Sequence, residues 1–323
     1  MPRARLALYR AAMLAASALP PEASCRLAVL TGEVLGRLPD LDGRRAVVAS
    51  HMARVLGRPL ERAERKRLVA EVFANYARYW AESFRLPSVG ATKAAASVTT
   101  GGEDNLDACL SQGKGVIISA PHLGGWEWGA LYLIARGLQV TVAVEPLEPP
   151  EVFQWFAAYR ERLGMHVVPV GSGAGAAVLQ ALKEGHVVCL LSDRLVGNAA
   201  GVEVEFFGSP VRMPAGPATL ALRSKAPLML AAIYYGRSAD AHHIDFRPAI
   251  EPPETGSFRT RVQESTQALA RELEGLIRAS PSQWHLLQPN WPDDPSLRGW
   301  PGRRAGERAT ANKRGSLAEV DVK

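Results

Sequence analysis

The chain has only three cysteines among 323 residues, Cys25, Cys109 and Cys189, and none has metal-ligand spacing. That count and spacing argue against a disulfide scaffold or a thiolate metal site, and the three read as reduced thiols in a cytoplasmic setting. Long hydrophobic runs are also missing. The N-terminal stretch from Leu6 to Leu19 spans only 14 residues, contains Arg10 and ends at Pro20-Pro21. A membrane-crossing helix needs ~20 apolar residues. The same stretch is a poor signal peptide, because Arg10 breaks the apolar region and the cleavage site is weak. No Gly-X-Ser-X-Gly elbow occurs, which counts against a serine hydrolase. Internal repeats are absent.

What is present describes a folded enzyme-sized chain. Hydrophobic residues make up 47% and charged residues 22%, enough for a sizeable core and an ordinary surface. The net charge of +6 is concentrated near the start, where residues 1–90 carry 15 Lys/Arg against 8 Asp/Glu. A basic N-terminal quarter suits an anionic partner such as a bilayer surface or nucleic acid, and equally suits a solvated set of arginines. Leu6, Tyr9, Met13 and Ala16 share one helical face flanked by Arg3 and Arg10. This fits an interfacial helix, and fits a core-packing helix equally well.

Residues 1–90 read as helices: Glu22 to Leu38, Gly43 to Leu56, and a long one from Leu60 to Leu86. The last carries Phe73, Tyr76, Trp80 and Phe84 as a core stripe. From Val116 onward strands and helices alternate, ending with a long helix from Ser257 to Ala279. That alternation predicts an α/β fold with a central, mostly parallel sheet covered by helices. Val202 to Phe207 alternates like an exposed or edge strand. The expected organisation is a helical, membrane-associating region over 1–90, an α/β domain over 91–298, and a Gly/Arg/Lys-rich disordered tail over 299–323.

The stretch from Gly115 to Leu133 carries the chemistry. Val116 to Ser119 is a buried strand, Pro121 and Gly124-Gly125 break it, and a helix runs from Trp126 to Ala135. His122 therefore sits at the carboxyl end of a strand, where open α/β sheets place ligands. Of seven histidines, His122 alone has an acid five residues on, Glu127. An imidazole oriented by a carboxylate is a general base for an alcohol. No nucleophilic serine or cysteine is needed if the acyl donor is already a thioester. Asp193-Arg194 ends another apolar strand, and Glu203 lies on an alternating one. The pair Trp284-His285 reads as packing. The turn or helix N-terminus around Gly124-Gly125 is the expected source of oxyanion donors.

Pro121-His122-Leu-Gly-Gly-Trp-Glu127 resembles the His-X4-Asp/Glu block of the lysophospholipid acyltransferase superfamily. The resemblance is closer to the branch holding the lipid A lauroyl/myristoyl acyltransferases and the phosphatidylinositol mannoside acyltransferases, and closest to the latter. Asn75 to Pro87, Val188 to Arg194, Gly201 to Gly208, Met213 to Pro217 and Gln283 to His285 support it, over roughly residues 5 to 295. The resemblance implies acyl transfer from a coenzyme A or acyl carrier protein thioester to a glycolipid hydroxyl. It also implies no cofactor or metal, and a peripheral or monotopic place on the anionic cytoplasmic face of the inner membrane. It makes His122 the base and Glu127 its partner, and places Glu145, Arg160, Asp193, Arg194 and Glu203 around the substrates.

The alternatives are a lysophosphatidate-type acyltransferase, a non-catalytic lipid- or nucleic-acid-binding protein, and a hydrolase. The missing Phe-Pro-Glu-Gly block counts against the first, and an intact His122–Glu127 pair against the second. Nucleic acid is accordingly not an expected partner.

Overall fold

The computed structural model describes residues 2–40, 42–146, 149–197, 199–296 and 298; the expected tail over 299–323 lies outside them. Four helices open the chain: α1 (Pro2–Ala18), α2 (Pro21–Arg37), α3 (Arg44–Leu56) and α4 (Arg62–Val89). The elements α5 (Ala91–Ala96), β1 (Val98–Gly101) and α6 (Glu103–Leu110) lead into the sheet. There follow β2 (Val116–Ala120), α7 (Trp126–Ala135), β3 (Val140–Val144), α8 (Pro150–Arg162), β4 (Met165–Pro169), α9 (Ala174–Lys183) and β5 (Val187–Leu191). The chain continues through β6 (Gly201–Phe206), β7 (Ser209–Pro214), α10 (Gly216–Ser224), β8 (Leu228–Tyr235), β9 (His242–Phe246) and α11 (Phe258–Ala279).

Seven strands form one sheet in the order β1-β9-β8-β2-β5-β3-β4. Every neighbouring pair is parallel except β8 with β9. The expected α/β architecture is therefore the observed one. Strand β2 is buried along its whole length and sends its side chains to two cores. Ile117 packs with Leu228 and Leu230 under α9 and α11, whereas Val116 and Ile118 pack with Met229 and Ala231 beneath α7. This alternation across a doubly covered strand is why the sequence reads as a continuous apolar run. Strand β6 is not an edge of this sheet. It pairs with β7 as a separate antiparallel hairpin, turned by Phe207 and Gly208 at φ 50° and 69°, and α11 packs on it through Gln263 and Gln267.

The N-terminal helices depart from the expected picture. Tyr9, Ala12, Met13 and Ala16 of α1 pack against Phe84, Val152 and Phe156 in an aromatic cluster, so of the two readings of that face the core-packing one is observed. The exposed apolar face belongs to α2, where Leu27, Leu30 and Val34 are 57%, 60% and 58% exposed and Leu38 continues the row. Helix α2 is inside out: its small residues face the protein. A Cβ on Gly32 would lie 2.4 Å from the Phe73 carbonyl, and one on Gly36 would lie 2.6 Å from the Ala70 Cα. Small residues are what allow two helix backbones to approach this closely. No helix among the described residues is long and apolar enough to cross a membrane.

Gly32→Val would force α2 away from α4. The expected loss is about 1–3 kcal/mol of unfolding free energy, the usual range for overpacking. It is read as a lower denaturant midpoint; an unchanged midpoint would contradict the packing.

Candidate active site

Parallel pairing of β2 with β5 aligns Ala120 with Leu191. Each strand ends there, so the next residues of both enter the same crevice beyond the carboxyl ends of the sheet. His122 follows β2 and Asp193 follows β5. The Asp193 carboxylate is 2.6 Å from His122 Nδ1 through Oδ1, and its Oδ2 accepts the His122 backbone N–H at 2.9 Å. Trp284 Nε1–H donates to the same Oδ2 at 2.7 Å. With Nδ1–H held by the carboxylate, Nε2 is the bare, acceptor nitrogen. The imidazole is partly exposed, at 25%, while the carboxylate is fully buried.

The partner expected for His122 is thus replaced. Glu127 lies in the first turn of α7 and is buried. It accepts from Tyr79 of α4 at 2.9 Å and pairs with Arg160 of α8 at 3.1 Å. Burial raises its pKa, and Arg160 and Tyr79 offset this only in part. Arg160 also lies over the Trp126 ring, 4.9 Å from its centroid. Five residues of separation place Glu127 near His122 in the chain, but entry into α7 carries its side chain into the α4–α8 contact.

Arg194 and Glu145 are joined at 2.6 Å, linking the ends of β5 and β3. Both line a cavity of about 280 Å³ with His122, Arg160 and His285. Its far part is apolar, between α7 (Gly129, Ala130, Leu133) and the sheet (Ile118, Val142, Ala231, Ile233, Ile244). Glu203 is exposed on β6, aligned with Arg212 across the hairpin, and is not among the residues lining the cavity.

The turn after β2 is held from the C-terminal side. Gly124, at φ 59°, has no room for a Cβ, which would lie 1.7 Å from the Ile233 carbonyl. Its N–H donates to the Gln283 carbonyl at 3.2 Å, so this amide is already committed and is not a free oxyanion donor. His285 N–H donates to the His122 carbonyl at 3.0 Å, and its ring Nε2 donates to the Gly124 carbonyl at 3.0 Å. Burial lowers the His285 pKa to about 4, keeping the ring neutral near pH 7. The sequence reads Trp284 and His285 as packing; the structure puts both against the turn that carries His122. Their sequence signals are a pair of polar-edged aromatics in tandem after the last long helix and the Gln283 to His285 block of the family resemblance.

The family model for bacterial lipid A biosynthesis acyltransferases matches residues 2–292. A phosphatidylinositol mannoside acyltransferase of Mycobacterium tuberculosis is 36% identical over 288 residues, 88% of this chain and 87% of the relative. One of Mycolicibacterium smegmatis is 32% identical over 244 residues, 75% of this chain and 77% of the relative. The chain belongs to the bacterial lipid A biosynthesis acyltransferase family, and it is an acyltransferase.

Acid should destabilise the fold in two stages. The His285 pKa is depressed below the ordinary 6.5, so the unfolded chain binds that proton first, and stability falls as pH drops from ~6.5 towards 4. Burial alone would raise the Asp193 carboxyl, but the His122 charge and hydrogen bonds from His122 and Trp284 bring it to about 2. Asp294 is likewise about 2: burial opposes ionisation, and the His51 side chain outweighs it. Their stabilisation is present above ~4 and is lost as pH falls towards 2. Denaturant midpoints across pH 2–8 should show both stages, and His285→Phe should remove the first. A wild-type midpoint that stays level from pH 7 to 4 would contradict this.

Proposed function

We propose that this acyltransferase moves a fatty acyl chain from a coenzyme A or acyl carrier protein thioester to a hydroxyl of a phosphatidylinositol mannoside-type glycolipid, with His122 as general base and Asp193 as its partner. The observation that carries this reading is the buried Asp193 carboxylate on His122 Nδ1, beside a cavity whose far part is apolar. The acceptor class rests on the two mannoside acyltransferases whose sequences align over most of the chain.

In the proposed reaction, His122 Nε2 takes the acceptor proton as the acceptor oxygen attacks the thioester carbonyl carbon. Asp193 holds Nδ1–H and stabilises the imidazolium that forms. The C–S bond then breaks, and the proton passes from Nε2 to the leaving thiolate. No acyl-enzyme forms. The acyl chain occupies the apolar part of the cavity, and the Arg194–Glu145 pair and Arg160 face the polar part. With the Gly124 amide engaged and the Trp128 amide donating to the Gly125 carbonyl at 2.9 Å, the Trp126 amide at the head of α7 is the proposed donor for the oxyanion.

Removing a general base typically costs about 10²–10⁴-fold. His122→Ala should lose that much transfer to a phosphatidylinositol mannoside acceptor, and Asp193→Asn should lose much of it while staying folded. Intact-protein mass after incubation with donor alone should be unchanged. A covalent acyl adduct, or a His122→Ala enzyme at near wild-type rate, would overturn the mechanism. Preference for a lysophosphatidate acceptor would overturn the glycolipid reading while leaving the mechanism standing.

We further assign the outward apolar row of α2 to a membrane surface, on the cytoplasmic side where the thioester donors are found. Burying a leucine contributes about 1.5–3 kcal/mol. Replacing Leu27, Leu30 and Val34 together with Glu should therefore abolish sedimentation with anionic liposomes, while transfer to a detergent-dispersed acceptor persists. Undiminished liposome binding would contradict the assignment.

A further inference from the structure

The Asp193 carboxylate has two oxygens, and the orientation of His122 depends on which one faces Nδ1. Oδ1 takes Nδ1 alone, while Oδ2 takes two N–H groups, from the His122 backbone and the Trp284 indole. The first of these donors belongs to the residue being positioned. The second comes from 91 residues further along the chain and sits in a rigid frame. Trp284 is 1% exposed. His51 stacks on it at 5.2 Å and 27°, and Phe206, Phe207 and Trp291 surround it. His51 is itself fixed between the Leu286 carbonyl and the Asp294 carboxylate, at 3.1 and 2.9 Å.

The same segment grips the backbone on both sides of the pair. Leu123 bridges to Trp284, His285 N–H binds the His122 carbonyl, and Asn290 Nδ2–H binds the Asp193 carbonyl at 2.9 Å. A phenylalanine or leucine would serve the surrounding apolar core as filler. What the indole adds is one N–H, directed at one oxygen of the carboxylate.

We propose that Trp284 is a positioning residue of the reaction: its indole N–H fixes the rotation of the Asp193 carboxylate and so holds the His122 ring with Nε2 bare towards the acceptor. This rests on His122 and Asp193 forming the proton-accepting pair. The indole touches no reacting atom. Its effect is on how often the imidazole is aligned, so it bears on turnover and leaves substrate affinity alone.

Two variants remove the N–H: Trp284→Phe, and replacement of Trp284 with β-(3-benzothienyl)alanine by nonsense suppression, which puts sulfur in place of N–H and leaves no void. Each is assayed in the full chain with an acyl-coenzyme A donor and a phosphatidylinositol mannoside acceptor, alone and combined with Asp193→Ala. The benzothienyl enzyme should remain folded, with a lower melting temperature because the buried carboxylate loses one donor, and lose about tenfold in kcat, within the ~10²-fold that misplacing a catalytic group can cost. KM for donor and acceptor should stay within about twofold on the same grounds, because the indole does not contact substrate. In the Asp193→Ala background the same replacement should cost less than about twofold, because the carboxylate it acts through is gone.

A benzothienyl enzyme with wild-type kcat overturns the proposal even if Trp284→Phe is impaired, because the phenylalanine variant then fails through its cavity. An equal loss in both backgrounds also overturns it, since Trp284 would be acting by a route other than Asp193. A wild-type rate for Asp193→Ala alone removes the underlying proton-accepting pair, and this inference falls with it.

Discussion

A carboxylate taken wholly out of water costs several kcal/mol unless its lone pairs are satisfied, and Asp193 is at 0% exposure. Its accommodation shapes the surrounding architecture. Three N–H donors converge on it, from the turn after β2 and from the segment after α11. Parallel pairing of β2 and β5 brings the first two into range, and return of the chain past Pro281 brings the third. Low pKa follows from this convergence and not from solvent exposure, so the group stays ionised at the pH where an imidazole can take a proton.

A second buried cluster stands apart from the first. Glu127, Arg160 and Tyr79 tie α7, α8 and α4 together, and Tyr159 adds a hydrogen bond from its hydroxyl to the Ser83 carbonyl. Tyr79 and Arg160 line the cavity and connect it to the N-terminal helices. Those helices carry the outward apolar row of α2. A surface that would meet lipid is therefore joined through α4 to the wall of the cavity by side-chain contacts, with α4 packed against α2 at Gly32 and Gly36.

The sequence carried the fold well because its signals are local. Apolar runs such as Val116 to Ile118 and Leu228 to Ile233 end at glycines, prolines and charges, and each became a strand. His122 was legible for the same reason, as the first chemically active residue beyond a buried strand. Its partner was not. The i+5 spacing made Glu127 the obvious acid, but helix geometry turned Glu127 towards α4 and α8. Asp193 arrives through sheet pairing with a strand about seventy residues away, which no local pattern encodes. The α1 face stayed open in the sequence: periodicity in Tyr9, Met13 and Ala16 marks a face to be covered, but does not say whether lipid or protein covers it. Trp284 was read as filler because an indole's N–H shows its use only when an acceptor is in place.

The central claim is that Asp193 holds the proton on Nδ1 of His122 and leaves Nε2 bare. The most direct measurement is the ¹⁵N spectrum of the histidine rings in the folded enzyme near pH 8, with the His122 signals assigned by their loss in His122→Gln. The account predicts a protonated Nδ1 and an unprotonated Nε2, with an Nδ1 proton shifted far downfield by the carboxylate. A His122 ring carrying its proton on Nε2, or one whose tautomer is indifferent to Asp193→Ala, would contradict it.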